Sequence, residues 1–86
     1  MTVFFHPKAE EELDAMDSEL RKRFFKHIEK VAEMPQRRHL KSVNPHHVEE
    51  VTKQARLVYD KQENNVEIHH CFSTHKDYEK WYKSFK

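Results

Sequence analysis

The chain of 86 residues contains no glycine. Loops that cradle phosphates and dinucleotide-binding motifs require glycine, because the backbone there must approach the phosphate closely. The absence of glycine therefore excludes the nucleotide-binding classes that depend on such loops. Turns in this chain must use asparagine and proline instead, which favour turn conformations for other reasons.

The chain also has only one cysteine, Cys71, which excludes an internal disulfide and suits a reducing compartment. No apolar run approaches the roughly 20 residues of a membrane-spanning helix. The first residues lack the long apolar segment of a secretory signal. We therefore expect a soluble cytoplasmic protein with no membrane partner.

The net charge is also small, at +1, because 15 acidic residues nearly balance the 16 lysines and arginines. Strong nucleic-acid binders are usually more basic. The charge is uneven, however, since residues 8–19 are acid-rich and the middle of the chain is basic. The eight histidines would add positive charge as the pH falls toward about 6.

Hydrophobic and charged residues each make up 36% of the chain, which is polar for a folded domain. Aromatic residues nevertheless reach 12%, and apolar positions recur with clear periodicity, so we expect an ordered protein. A chain of this length predicts a single domain, residues 1–86, with one modest core.

The first half of the chain predicts a strand and two helices. Val3–His6 has strand character, and Pro7 suits the first turn of a helix, where its missing N–H costs nothing. Asp17 or Ser18 can cap a second helix, which Pro35 ends. Apolar residues at helical spacing mark the inner faces: Ala9, Leu13 and Met16, then Leu20, Phe24, Ile28 and Val31.

The second half predicts strands and a short last helix. Residues 35–47 have loop character, with an extended piece at His39–Val43. The expected strands are Val48–Lys53, Ala55–Lys61 and Val66–Phe72, the last two joined by a polar turn over residues 62–65.

The last helix has a predicted start and an aromatic face. Thr74 suits its N-cap, with Asp77 three residues further on. Four aromatic residues then recur at helical spacing: Tyr78, Trp81, Tyr82 and Phe85. We expect Trp81 and Phe85 to pack inward.

Together these elements predict an α+β fold. An N-terminal strand would be followed by an antiparallel helix hairpin, packed on one face of a sheet of three or four mainly antiparallel strands. A short C-terminal helix would end the chain. The other face of the sheet would be open.

Strand alternation predicts which side chains reach that open face. If Leu57 and Tyr59 face the helices, Arg56 faces the open side. His69 and His70 must point to opposite faces. His70 shares the apolar face with Val66, Ile68 and Phe72, which predicts a core histidine. His69 shares the other face with Glu67 and Cys71 and could line a site beside Arg56.

The residues around Arg56 suit phosphoryl chemistry on RNA, which needs charge stabilisation plus an acid and a base. Arg56 is a fixed cation, and His75 can exchange protons near neutral pH. Lys76 could hold a phosphate, and Tyr78 could stack on a base or donate a hydrogen bond. Each also has a simpler interpretation. Arg56 could pair with Glu49 or Glu50 at the surface, and the other three could be ordinary helix residues.

Four segments resemble the RelE/ParE superfamily of type II toxins, and together they span nearly the whole chain. Phe5–Leu13 is similar to the opening strand and helix of the family. Pro35 with Leu40–Lys41 resembles its helix-to-sheet crossing. Ala55–Tyr59 looks like the central strand that carries an active-site arginine in RelE-type ribonucleases. Thr74–Tyr78 resembles the ending of HigB- and YafQ-like members.

The resemblance implies an endoribonuclease that cuts mRNA in the ribosomal A site, by attack of the ribose 2′-hydroxyl on the adjacent phosphate. It implies no metal and no small-molecule cofactor, and a cognate antitoxin as protein partner. The implied site residues form two groups. The catalytic group is Arg56, His75, Tyr78 and Lys76, and the RNA-binding group is Lys53, His69 and Tyr82.

Three alternatives stay open. A ParE-like protein would inhibit DNA gyrase by binding, without catalysis, although the histidine-rich last strand favours the ribonuclease. An inactive member of the fold is a second alternative, which the near-neutral charge favours. A metal site of His69, Cys71 and His75 is a third, but no second cysteine or acidic partner stands at a recognised spacing.

Overall fold

The computed structural model describes residues 2–33, 47–62 and 65–84. Within these residues, seven elements follow one another: β1 (Thr2–Phe5), α1 (Pro7–Ala15), α2 (Ser18–Glu33), β2 (His47–Glu50), β3 (Arg56–Gln62), β4 (Asn65–Phe72) and α3 (His75–Lys83). This order confirms the predicted α+β fold. The predicted extended piece at His39–Val43, the helix end at Pro35 and the packing of Phe85 lie outside the described residues.

The four strands form one mixed sheet in the order β1-β4-β3-β2. β4 pairs antiparallel with β3, and β3 pairs antiparallel with β2. β1 lies parallel to β4 at one edge, with Thr2 opposite Asn65 and Phe5 opposite Ile68. The sheet is therefore mainly antiparallel, as predicted, with one parallel pair between the first and last strands.

β2 is shorter than predicted, because the chain turns back at residue 51. The Val51 N–H donates to the Ala55 carbonyl at 3.0 Å. The hydroxyl oxygen of Thr52 accepts from the N–H groups of Gln54 and Ala55 at 3.2 and 3.0 Å. These bonds close a tight turn between β2 and β3, so residues 51–53 cannot continue the strand.

The helix hairpin supplies one wall of the core. Asp17 is the cap of α2, since its Oδ1 accepts from the Leu20 N–H at 2.8 Å. The predicted apolar faces are buried and pack against one face of the sheet. The core comprises Ala9, Leu13, Met16, Phe24, Ile28 and Val31 from the helices and their linker, with Val51, Ala55, Leu57, Tyr59, Val66, Ile68 and Cys71 from the sheet and its turn.

Arg21 fastens the two helices together. Its Nε donates to the Leu13 carbonyl at 3.0 Å, and its Nη2 donates to the carbonyls of Met16 and Asp14 at 3.0 and 3.3 Å. The last carbonyls of a helix have no partner within the helix, and a cation there also complements the helix dipole. Arg21 on α2 therefore stabilises the end of α1.

β4 contains one residue more than the part of β3 that it pairs with. Val58 lies opposite His70, whereas Tyr59 lies opposite Ile68. His69 is therefore the extra residue of a β-bulge.

The bulge reverses the predicted facing of the residues that follow it. Strict alternation would group His70 with Ile68 on the core face and put Cys71 on the other face. In the structure Cys71 is 1% exposed and belongs to the core, whereas His70 lies outside the core cluster. The predicted core position of His70 and open-face position of Cys71 are therefore wrong, because a bulge shifts the alternation by one residue.

α3 covers one end of the second face of the sheet. The Trp81 ring centroid lies 5.8 Å from that of Phe72 and 5.4 Å from that of His70. Val58, opposite His70, is fully buried although it lies outside the main core cluster. The predicted open second face is thus wrong at this end. Across residues 2–33, 47–62 and 65–84, no helix has the length and apolar character to cross a membrane.

Replacing Arg21 tests whether its hydrogen bonds hold the two helices together. We expect Arg21→Ala to lower the free energy of unfolding by about 1–3 kcal/mol, because three carbonyls lose a charged donor. Urea denaturation followed by circular dichroism would measure the loss. Arg23→Ala removes an exposed arginine two residues away and should change stability by less than about 0.5 kcal/mol. Equal losses of stability in Arg21→Ala and Arg23→Ala would contradict this role of Arg21.

Candidate active site

Arg56 lies at the start of β3, folded back over the β2–β3 turn. Its Nη1 donates to the carbonyls of Thr52, Lys53 and Ala55 at 2.9, 3.0 and 3.0 Å. Its Nη2 lies 3.5 Å from Oε1 of Glu50, the residue opposite it on β2. The Arg56 side chain is only 15% exposed, so its position is fixed by the turn that it closes.

These contacts confirm the simpler interpretation of Arg56, the pairing with a carboxylate, and its catalytic role stays a prediction. The pairing with Glu50 is present, and the bonds to three carbonyls give Arg56 a structural role. None of these contacts removes the charge, because a guanidinium stays protonated in proteins. Glu50 is 65% exposed, so an incoming phosphate could displace it at little cost.

His75 opens α3 at the same end of the sheet. Thr74 caps the helix by accepting from the Asp77 N–H at 3.2 Å, as predicted. The His75 N–H lies 3.4 Å from Oε1 of Gln54, which belongs to the turn that Arg56 closes. This contact joins the start of α3 to the Arg56 turn and brings the two predicted residues to one region.

The imidazole of His75 is oriented by the next turn of its helix. Its Nδ1 lies 2.8 Å from Oε1 of Glu79, whose other oxygen is 3.5 Å from Nζ of Lys83. When a carboxylate accepts from Nδ1–H, the tautomer is set and Nε2 is left to exchange protons. Glu79 was not found from the sequence, although its i, i+4 spacing from His75 is a signal that could have found it.

The aromatic residues of α3 form a row that leads from the sheet to the surface. Tyr78 packs between the Phe72 and Tyr82 rings, with centroid distances of 6.2 and 6.1 Å. His75 lies 5.8 Å from Tyr78 on the same row. Tyr82 is 45% exposed, so the row ends on a surface where a base could stack.

The two predicted lysines flank this region and are both exposed. Lys53 lies in the turn whose carbonyls Arg56 binds. Lys76 follows His75 in the first turn of α3. The structure therefore places Arg56, His75, Tyr78, Lys53 and Lys76 at one end of the sheet, while their chemical roles stay predictions.

His69 lies elsewhere. Its Nε2 is 2.8 Å from Oδ2 of Asp60, and its ring stacks on His6 at 4.2 Å. Asp60 is four residues along β3 from Arg56, a separation of roughly 13 Å in a strand. The expectation that His69 lines the surface beside Arg56 is therefore wrong, although a role in RNA binding stays untested.

The burial of Cys71 makes its thiol unsuitable as a nucleophile. Burial, and then the nearby Glu12 carboxylate, raises the pKa of the Cys71 thiol from 9.0 to about 12. Glu12 Oε1 also accepts from the Cys71 N–H at 2.9 Å. A protonated thiol is a poor nucleophile. Among the residues that the structure describes, His69 has ligand atoms close to those of Asp60 and Glu67, and Cys71 and His75 do not belong to that group.

A cleft of about 440 Å³ lies on the other side of α3, between that helix, α1 and the end of β4. Its walls include Lys8 from α1, Lys80 and Trp81 from α3, and His70 from β4. Glu12 and Asp77 line it as well, so the charges of the two lysines are offset by two carboxylates. Sequence reasoning missed this group, because Lys8 lies more than 60 residues away from the others.

No protein-family profile and no curated protein matches the chain. Solved structures do. The YoeB–YefM complex from Staphylococcus aureus matches with a TM-score of 0.64 and 19% identity, over 80% of this chain and 91% of that one. The YoeB/ParE toxin from Agrobacterium tumefaciens matches with a TM-score of 0.67 and 15% identity, over 83% and 95%.

The chain has the fold of the RelE/ParE toxins. This confirms, at the level of the fold, the resemblance identified from the sequence. Within the RelE/ParE fold of this chain, Arg56 stands on the central strand β3 and His75 at the start of the last helix. Identities of 19% and 15% carry no residue roles from those proteins to this chain.

The thiol of Cys71 gives a test of the packing beside the site. With a pKa of about 12, the folded protein at pH 8 has about 1000-fold less thiolate than a solvent-exposed thiol with the ordinary pKa of 9.0. We expect a thiol reagent to label the native protein very slowly and the urea-unfolded protein at a normal rate. Glu12→Gln should leave labelling slow, since burial is the larger cause. Fast native labelling would contradict the buried position.

The same pKa predicts how stability depends on pH. The folded value lies above the unfolded one, so the contribution of Cys71 is complete below about pH 9 and is lost as the pH rises toward 12. Stability should therefore fall more steeply above pH 9 in the native chain than in Cys71→Ala. Urea denaturation of both proteins at several pH values would measure this, and parallel curves would contradict it.

Proposed function

We propose that this protein is the toxin of a type II toxin–antitoxin system and cuts mRNA on the ribosome without a metal ion. The observation that carries the proposal is that Arg56 and His75 lie at the same end of the sheet. Arg56 is held by three carbonyls of the β2–β3 turn, and Gln54 of that turn reaches the start of α3. The RelE/ParE fold supports the toxin class.

Each residue at this end has a chemical role in the proposed reaction. The ribose 2′-oxygen attacks the adjacent phosphorus, the bond to the 5′-oxygen breaks, and a cyclic phosphate forms. Arg56 stabilises the extra negative charge of the phosphorane. His75 either takes the 2′-hydroxyl proton or gives one to the leaving 5′-oxygen. Lys76 or Tyr78 supplies the opposite transfer.

Other side chains would position the RNA and the catalytic groups. Glu79 orients His75 and is a positioning residue. Tyr78 and Tyr82 offer a stacking surface for a base, and Lys53 adds positive charge beside Arg56. Glu50 would give way to the phosphate, so RNA binding would exchange one ion pair of Arg56 for another.

The proposal includes two partners and a compartment. The mRNA would be presented by the ribosomal A site, and the protein would therefore act in the cytoplasm. A cognate antitoxin would neutralise it, as the YoeB–YefM complex suggests for a protein of the same fold. Exposed apolar side chains supply area for such a partner, among them Phe4 at 52% and Phe25 at 43%.

A second candidate function is gyrase inhibition by binding alone, in the manner of ParE. The specific observation in its favour is that Nη1 of Arg56 is already bound to three carbonyls. A structural arginine needs no catalytic role. The near-neutral net charge of +1 also favours a protein that does not bind RNA tightly. Such a protein could be a gyrase inhibitor or an inactive protein with the same fold.

Primer extension on a reporter mRNA in a translating extract tests the proposal. The wild type should produce new cuts within codons, and His75→Ala should reduce cutting by about 100-fold or more, as expected for losing a general acid or base. His27→Ala is the matched control, because His27 also pairs with a carboxylate but lies on α2. Folded wild-type protein that produces no cuts would contradict the ribonuclease and favour gyrase inhibition.

Arg56 needs a second readout, because it also closes a turn. Arg56→Lys keeps the charge but loses the planar donor fork. We expect cutting to fall about 100-fold or more, a typical cost for losing a transition-state donor, while the unfolding midpoint shifts only modestly. A loss of cutting that merely follows a loss of folded protein would assign Arg56 a structural role alone.

A further inference from the structure

Two carboxylates face each other on neighbouring strands, well away from Arg56. Asp60 on β3 lies directly opposite Glu67 on β4. Like charges in this position repel each other and destabilise a sheet. Nearby positive or polar groups offset this repulsion.

Two histidines approach these carboxylates from different parts of the chain. His69 Nε2 lies 2.8 Å from Asp60 Oδ2, and His6 Nε2 lies 3.5 Å from Glu67 Oε1. The two imidazole rings are stacked, with centroids 4.2 Å apart and an interplanar angle of 23°. His69 is the bulged residue of β4, and bulges commonly redirect a side chain in this way.

The donor atoms converge closely enough to share one ion. One oxygen from Asp60, one oxygen from Glu67 and one ring nitrogen from His69 all lie within 4.8 Å of one another. Ligands of a tetrahedral ion sit about 2.0–2.2 Å from it, and hence roughly 3.3 Å apart. Small side-chain rotations would close the difference.

We infer that Asp60, Glu67 and His69 form a binding site for a divalent transition-metal ion, with zinc as its best occupant. The inference is independent of the proposed ribonuclease activity, since Arg56 and His75 lie at the other end of the sheet. The side chains are 23%, 44% and 20% exposed, so an ion has access and water can fill the remaining coordination positions.

The donor set decides which ions fit. Imidazole nitrogen with carboxylate oxygen suits zinc and its first-row neighbours, whereas calcium and magnesium prefer oxygen alone. The bound ion would neutralise the facing carboxylates and link β3 to β4. His6 would then act from outside as a positioning residue for Glu67, as partners of metal ligands commonly do.

Zinc titration of tag-free protein by calorimetry tests the site, after chelator treatment and removal of the chelator. We expect one equivalent to bind and the thermal unfolding midpoint to rise with zinc concentration. Glu67→Gln and His69→Gln should each weaken zinc binding about tenfold or more. Magnesium in place of zinc should give neither heat nor a midpoint shift.

His27→Gln is the matched control, because His27 pairs with Glu49 and lacks a third ligand within reach among the described residues. It should bind zinc like the wild type. Asp60→Asn is a further variant of a proposed ligand. Asparagine can keep a hydrogen bond to His69, so weaker zinc binding by this variant would not result from unfolding. Wild-type affinity in Glu67→Gln and His69→Gln, equal weakening in His27→Gln, or no zinc binding by the folded wild type would each overturn the inference.

Discussion

The extra residue in β4 determines which side chains of this strand face the core and which face away from it. Because His69 is bulged, Cys71 turns into the core and His70 turns out against Trp81 of α3. The same bulge leaves His69 beside Asp60, on the side of the sheet away from the core. Without it, the last strand would present a different set of side chains to each face, and α3 would lose part of its docking surface.

The sheet consequently carries two polar regions that differ in construction. At one end, a tight turn and a helix start hold a cation and a histidine through backbone carbonyls and Gln54. At the other end, paired strands hold carboxylates and imidazoles in direct contact. The first arrangement suits an anionic substrate, and the second suits a cation. Val58, which is fully buried, lies between Arg56 and Asp60 along β3.

Much of the fold followed from local patterns. Helical apolar spacing, Pro7, the Asp17 cap and the Thr74 cap are short-range features, so the sequence predicted those elements correctly. The bulge at His69 depends on pairing with β3, and no pattern within β4 reports it. For that reason the facing of His70 and Cys71 was wrong. Contacts such as that between Gln54 and His75, 21 residues apart, also lie beyond local reasoning.

The central claim is that a ribose hydroxyl held near Arg56 and His75 is the attacking group. It is tested most directly with a reporter mRNA that carries a single 2′-deoxynucleotide at a mapped cut position, translated with the protein present. The account predicts that cutting disappears at that position alone, and that unmodified mRNA yields fragments ending in a cyclic phosphate. Undiminished cutting at the deoxynucleotide would contradict the account, because the attacking oxygen would then have to come from elsewhere.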